Sequence, residues 1–268
     1  MKKVCIFVFS GTGMTRYVVD KITQELEELE ALDVAVDYYP IETAQIEQIP
    51  LGAYDLLGIA YPVHAFNAPQ IVINFAKQLP AAAACNVFLI STAGENNPVN
   101  YSSSNLLVKT LCKKSYRVFY DKQLYMPSNF AVKYDEPTAA AYLATATTAA
   151  PQIARDIASG ALDKQDGNGF SRFMHLIGRA EWFGCVFIGK LFYADQQCNH
   201  CGLCAKSCPN QNIVNGARLH FKWHCGLCMR CLYICPRHAI RVHQPFTFIS
   251  FDEWYKNKEL SVGRYQKQ

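Results

Sequence analysis

Eight of the twelve cysteines in this 268-residue chain fall into two runs of identical spacing. The first is Cys198-Asn-His-Cys201-Gly-Leu-Cys204-Ala-Lys-Ser-Cys208-Pro209, the second Cys225-Gly-Leu-Cys228-Met-Arg-Cys231-Leu-Tyr-Ile-Cys235-Pro236. Each reads C-x2-C-x2-C-x3-C-P. Three thiolates spaced two residues apart on one tight loop reach three corners of an iron–sulfur cube. The turn before the proline carries the fourth away, to the other cube. The spacing therefore predicts two 4Fe-4S clusters with crossed ligation. Cys198, Cys201, Cys204 and Cys235 hold one; Cys225, Cys228, Cys231 and Cys208 hold the second.

On these runs, residues 195–243 resemble a two-cluster bacterial ferredoxin. Structural zinc prefers paired CxxC motifs or Cys/His mixtures that close one tetrahedron, and a disulfide framework belongs to secreted chains. Neither matches two four-cysteine runs that each end in proline. Gly202 and Gly226 are expected to take positive φ and bring backbone close to sulfur. Ile213 and Ile240 each follow a run's last cysteine by five residues and are expected to cover one cluster each. Cys5, Cys85, Cys112 and Cys185 stand in apolar surroundings and read as small buried hydrophobes.

The first half alternates strand and helix patterns. Lys3–Phe9 is a continuous apolar run, the mark of a strand buried on both faces. A helix follows over about Thr15–Leu32, its apolar positions Val18, Val19, Ile22, Leu26 and Leu29 at helical spacing. Further strands are expected at Val34–Tyr39, Tyr54–Ala60, Asn86–Ile90 and Tyr116–Met126. Helices are expected at Pro69–Leu79, Asn100–Cys112 and Thr138–Ser159, the last interrupted or restarted at Pro151. This alternation predicts an α/β fold with a doubly wound, five-stranded parallel sheet. Ligands of such sheets sit beyond the C-terminal strand ends. The loops there are Ser10-Gly11-Thr12-Gly13-Met14-Thr15, Tyr61-Pro62-Val63-His64-Ala65-Phe66-Asn67 and the stretch after Ser91 that contains Thr92, Ala93, Gly94 and Glu95. The first combines glycines, hydroxyls and a helix N-terminus, the makings of an anion site. It is neither a Walker A loop nor GxGxxG.

Those three loops carry a resemblance to flavodoxin over residues 1–160. The resemblance implies that Ser10, Gly11, Thr12, Gly13, Met14 and Thr15 bind the FMN phosphate. It also implies that Tyr61–Asn67 and Thr92–Glu95 contact the ring, with Tyr61, His64 and Phe66 as the aromatic candidates. Met14 replaces a residue that is usually polar in flavodoxins, so one phosphate contact would come from backbone. No catalytic residue is assigned.

Residues 161–194 join the halves. Asp163–Gly169 reads as a loop, and the aromatic Phe170–Tyr193 as an amphipathic helix that packs the ferredoxin-like part on the flavodoxin-like part. Contact with a membrane surface or a protein partner is the minority reading. The tail 244–268, with Phe246, Phe248, Phe251, Trp254 and Tyr255, is expected to pack back on a domain. Residues 1–159 hold 12 Lys/Arg against 15 Asp/Glu, and residues 160–268 hold 14 against 7. Thiolates on two clusters add negative charge to the basic half, so a nucleic-acid role is not expected. The apolar start ends at Ser10-Gly11, too short for a signal peptide, and no stretch is long enough to span a bilayer. The expectation is a cytoplasmic protein.

A flavin beside two clusters implies electron transfer. The whole chain resembles the fused flavodoxin–ferredoxin proteins of anaerobic bacteria and archaea. That resemblance implies a carrier or internal relay that exchanges electrons with partner oxidoreductases. The alternatives are a flavin-dependent reductase of a small acceptor, fed by the clusters, and a regulatory sensor.

Overall fold

The computed structural model describes residues 2–29, 33–82, 85–94, 97–128, 134–165 and 167–243. Glu95 and the tail expected to pack on a domain lie outside the described residues. The first half runs β1 (Lys2–Val8), α1 (Met14–Glu27), β2 (Val34–Pro40), β3 (Leu56–Pro62), α2 (Gln70–Gln78), β4 (Asn86–Ala93), α3 (Asn105–Cys112), β5 (Arg117–Tyr125) and α4 (Glu136–Ser159). The strands form one parallel sheet in the order 2-1-3-4-5, extended at the β5 edge by β6 (Asp163–Lys164). Order 2-1-3-4-5 is the flavodoxin-like arrangement.

β1 shows why the sheet is buried. Its side chains alternate between two cores. Val4, Ile6 and Val8 face the layer of α1 and α4, while Cys5 and Phe7 face that of α2 and α3. With no polar face, such a strand can only be central.

Two details depart from expectation. The sheet has six strands rather than five. β6 occupies part of the expected loop, pairing Asp163 with Tyr120, and Lys122 Nζ lies 2.8 Å from Asp163 Oδ2. Two residues have no period to read. α4 also continues through Pro151. It starts on an Asp135 cap bonded to Thr138 N–H and ends at Gly160 in the left-handed region, φ 74°. Both ends are fixed, and packing of Ala146, Ala150, Ile153 and Ile157 against α1 and the sheet outweighs the bond lost at the proline.

α5 (Gly169–Lys190) then crosses to a small second unit. This contains β7 (Phe192–Ala194), α6 (Leu203–Lys206), β8 (Ile213–Val214), β9 (His220–Phe221), α7 (Arg230–Ile234) and β10 (Ile240–Val242). β7 pairs antiparallel with β10, and β8 with β9. β7 precedes the boundary expected after 194, so the unit closes on Phe192. Its core joins Phe192, Ile213, Phe221, Leu232, Tyr233 and Ile240. No described helix is long and apolar enough to cross a membrane.

Candidate redox site

The C-terminal ends of the strands open into a cavity of about 470 Å³, within the range of small-ligand sites. Met14 of α1, Pro62–Ala65 after β3 and Thr92–Gly94 at the end of β4 supply walls expected from the sequence. Met126–Ser128, Gly184, Cys185 and Ile188 of α5, and Gly226 and Leu227 of the second cysteine run complete it. These last contributors lie far away in sequence, and no local signal marks them.

The glycine-rich loop turns at the cavity's edge. Gly13 caps α1 at φ 102°, a conformation that suits glycine. Ser10 Oγ accepts from the Gly13 and Arg16 N–H groups, at 3.1 and 3.3 Å. Thr12 and Thr15 are buried beside it, and Thr15 Oγ1 meets Thr92 Oγ1 at 2.8 Å, joining two of the three loops. Met14 is the member of this loop on the cavity wall.

The second loop divides. Tyr61 is fully buried in the α2/α3 core below the cavity, and its hydroxyl has no hydrogen-bond partner among the described residues. Ala65 and Phe66 form a tight turn, both at positive φ (49° and 58°), closed by reciprocal bonds between His64 and Asn67. Such a turn normally recruits glycine or asparagine. Asn67 is buried in holding it, its amide donating to the carbonyls of Ala65 and His175. Phe66 and Asn67 thus shape the loop, while Pro62, Val63, His64 and Ala65 face the cavity. Burial pushes the His64 imidazole down to about 4, opposed by a hydrogen bond with the Gly226 backbone, so it is neutral near pH 7.

The eight thiols form two rings. Cys198, Cys201, Cys204 and Cys235 surround one hollow, with Leu219 and Ile240 on its wall. Cys208, Cys225, Cys228 and Cys231 surround another, walled by Ile213, Phe192 and Phe221. Each ring takes three cysteines from one run and the last from the other. Each proline-preceding sulfur also accepts a backbone N–H, Cys208 from Asn212 at 3.2 Å and Cys235 from Ala239 at 3.3 Å. Among the described residues no group of three or more His, Cys, Asp or Glu is arranged to hold a single metal ion. Burial pushes Cys204 up to about 11 and Cys225 to about 12 and raises Cys228 and Cys231; backbone N–H groups oppose it at Cys204 and Cys225, Arg230 opposes it at Cys228, and repulsion from neighbouring cysteines adds to it. Buried thiols such as these ionise when a cationic centre joins them, and four sulfurs around one hollow are the donor set of an iron–sulfur cluster. Gly202 takes φ 74° as expected. Gly226 does not take positive φ; Leu227 and Met229 carry the left-handed turns instead, at 47° and 61°.

The second ring abuts the flavodoxin-like half. A Cβ on Gly11 would strike the Cys228 carbonyl, so the glycine-rich loop and the second run lie backbone against backbone. Arg230, buried, locks this contact. Its Nη2 donates to Ser10 O at 2.8 Å, its Nε to Gly11 O at 3.3 Å and its Nη1 to Ser207 O at 3.2 Å. Nη1 also pairs with Glu42 Oε1 at 2.6 Å.

Comparison with known proteins gives one family match, in the second unit. Residues 190–236 match the family model of the 4Fe-4S dicluster domain. No curated protein matches the sequence. Among solved structures, a flavodoxin of Streptococcus pneumonia TIGR4 covers 59% of this chain and 98% of its own at 15% identity and TM-score 0.41. The NAD(P)H:quinone oxidoreductase of Methanothermobacter marburgensis covers 57% and 100% at 14% identity and TM-score 0.41. An azoreductase of Bacillus anthracis covers 58% and 100% at 9% identity and TM-score 0.42. The chain thus joins a flavodoxin-like sheet, as its strand order shows, to a 4Fe-4S dicluster segment, a combination that points to redox electron transfer.

Proposed function

We propose that the chain binds one FMN at the sheet edge and two 4Fe-4S clusters in the thiol rings, and relays electrons between them and partner oxidoreductases. When bound, the flavin supplies one- and two-electron chemistry and each cluster one-electron chemistry. The observation that carries this reading is the contact of Gly11 with Cys228, with Gly226 and Leu227 forming part of the flavin cavity. It makes the second ring the flavin's neighbour and the first ring the outer station.

The residues divide the work accordingly. The hydroxyls of Thr12 and Thr15 and the first turn of α1 receive the phosphate. Pro62–Ala65 and Thr92–Gly94 receive the ring, with neutral His64 as a hydrogen-bonding group rather than a charge. Cys228 and Cys231 are half-buried, whereas Cys201 of the first ring is exposed and marks the face that meets a partner.

A second reading, reduction of a small acceptor, is favoured by an adjoining hollow of about 370 Å³. It is lined by His64, Trp182, Asn210, His224 and Cys225 among others, and the buried Trp182 Nε1 there has no hydrogen-bond partner among the described residues. Turnover of small carbonyl acceptors, lost on filling the hollow with Val186→Trp while FMN is retained, would favour that reading over a pure relay.

Anaerobically purified protein should contain about eight iron atoms and one FMN per chain. Cys235→Ala should damage the cluster held by the first run and spare the other. Stoichiometric zinc without iron would remove the proposal, and loss of the second cluster alone would overturn the crossed ligation.

A further inference from the structure

The second unit is one-sided in charge. Residues 191–243 carry six Lys/Arg and a single acidic residue, Asp195, which Arg241 Nε pairs at 3.1 Å. Arg230 is buried against Glu42 at the contact between the halves. Of the other four cations, Lys206, Arg218 and Arg237 are exposed, and the fold ties each of them to the first thiol ring. Lys206 ends α6, two residues after Cys204. Arg237 stands in the turn after Cys235, closed by the bond from His238 N–H to Cys235 O at 3.2 Å. Arg218 adjoins Leu219, a wall residue of that ring, in the hairpin turn between β8 and β9. Asn215 Nδ2 holds this turn to the first run by donating to His200 O at 3.3 Å.

What the three cations share is the outer end of the relay. Cys201 is exposed there, and Leu203 beside it is 38% exposed. A small sulfur-and-apolar centre with charged neighbours has the make-up of a transient docking patch, apolar at its middle and polar at its rim. A bound cluster adds negative charge inside the ring. Cys204 is buried and Cys198 and Cys235 are half-buried, however, so most of that charge lies behind the surface. Carboxylates of an approaching protein meet the protruding ammonium and guanidinium groups first, and complementary charge speeds such encounters at low salt. The flavodoxin-like half has the opposite balance, 12 Lys/Arg against 15 Asp/Glu over residues 1–159. An anionic lipid surface offers the same negative groups but no electron acceptor for the exposed sulfur, so a redox protein is the better fit.

Resting on the relay reading above, we propose that the face around the first thiol ring docks an acidic one-electron carrier protein, whose carboxylates pair with Lys206, Arg218 and Arg237. One electron leaves the reduced first cluster and reduces the oxidised centre of the partner, or returns by the same route. No covalent bond forms or breaks and no proton moves.

The test mixes the full-length, cofactor-loaded, reduced chain anaerobically with two oxidised carriers of opposite charge, acidic rubredoxin and basic cytochrome c, in a stopped-flow spectrometer. The second-order rate with rubredoxin should fall about ten-fold or more when salt is raised from about 20 to about 500 mM, a measurement that needs no variant. It should fall as far at low salt in Lys206→Gln/Arg218→Gln/Arg237→Gln, while the rate with cytochrome c does not fall. Lys109→Gln/Lys113→Gln/Arg117→Gln removes the same charge from α3 and the start of β5, at the opposite end of the sheet, and should change neither rate by more than about two-fold. A rubredoxin rate that ignores both salt and the Lys206 variant, or an equal loss with both carriers, overturns the docking face while the relay stands. Parent protein that lacks the iron of two clusters overturns the relay and this proposal with it. Sedimentation with phosphatidylcholine/phosphatidylglycerol vesicles that the Lys206 variant abolishes, at an unchanged rubredoxin rate, makes the patch a membrane-facing surface and overturns the docking face too.

Discussion

Arg230 shows how much one side chain fixes. Three carbonyls and a carboxylate converge on its guanidinium, and the carbonyls of Ser10 and Gly11 belong to the expected phosphate loop. Arg230→Met would leave Glu42 buried beside the loop without its cation, a loss of about 3–5 kcal/mol. FMN affinity should fall at least ~10-fold by flavin-fluorescence titration. Arg230→Lys should rescue little, because an ammonium cannot fork to several acceptors. Removing both charges with Arg230→Met/Glu42→Gln should recover part of the loss. A second residue-scale effect is Asp121, which burial raises to about 6 although Ser104 Oγ donates to it. Its ionisation is harder folded than unfolded, so stability is greatest below the ordinary carboxylate pKa near 4 and declines as pH rises through about 6. Asp121→Asn escapes that decline. In thermal melts its advantage should be small at pH 4 and reach about 3 kcal/mol at pH 8; equal shifts at both pH values would refute it.

Among the elements, α5 sets the spacing. A Cβ on Gly178 would strike the Ala65 carbonyl, and one on Gly189 would strike Cys225, so the same helix touches a flavin-loop turn and the second thiol ring. Gly189→Ala should cost about 1–3 kcal/mol by overpacking. It should also shift the EPR signature of the second cluster and leave the first unchanged. Gly169→Ala, at the exposed start of the same helix and meeting nothing within 4 Å, is the neutral control. The sequence announced this helix but not its orientation: apolar spacing is the same whether the stripe faces in or out, and here small residues were needed where backbone approaches sulfur. β1, β3 and β4 were legible because continuous apolar runs leave a strand no exposed side, and β2 because its residues alternate. The thiol rings were legible because four positions in each run obey one spacing rule. Arg230 was not, since it sits in an ordinary position of its run and its partner Ser10 is 220 positions away. Tyr61 was misleading in a similar way: it belongs to a loop motif by sequence, yet strand alternation turns it into the core.

At the scale of the whole molecule, the elements form a sequence of stations. The cavity proposed for the flavin lies against the second thiol ring, the second ring shares its runs with the first, and the first reaches the surface at Cys201. The most direct test is EPR of the anaerobic, partly reduced protein, reading the magnetic interaction between the flavin signal and a cluster in three chains. The account predicts an interaction in the parent chain that persists in Cys198→Ala and vanishes in Cys231→Ala, with FMN bound in all three. An interaction that survives Cys231→Ala but is lost in Cys198→Ala would contradict it.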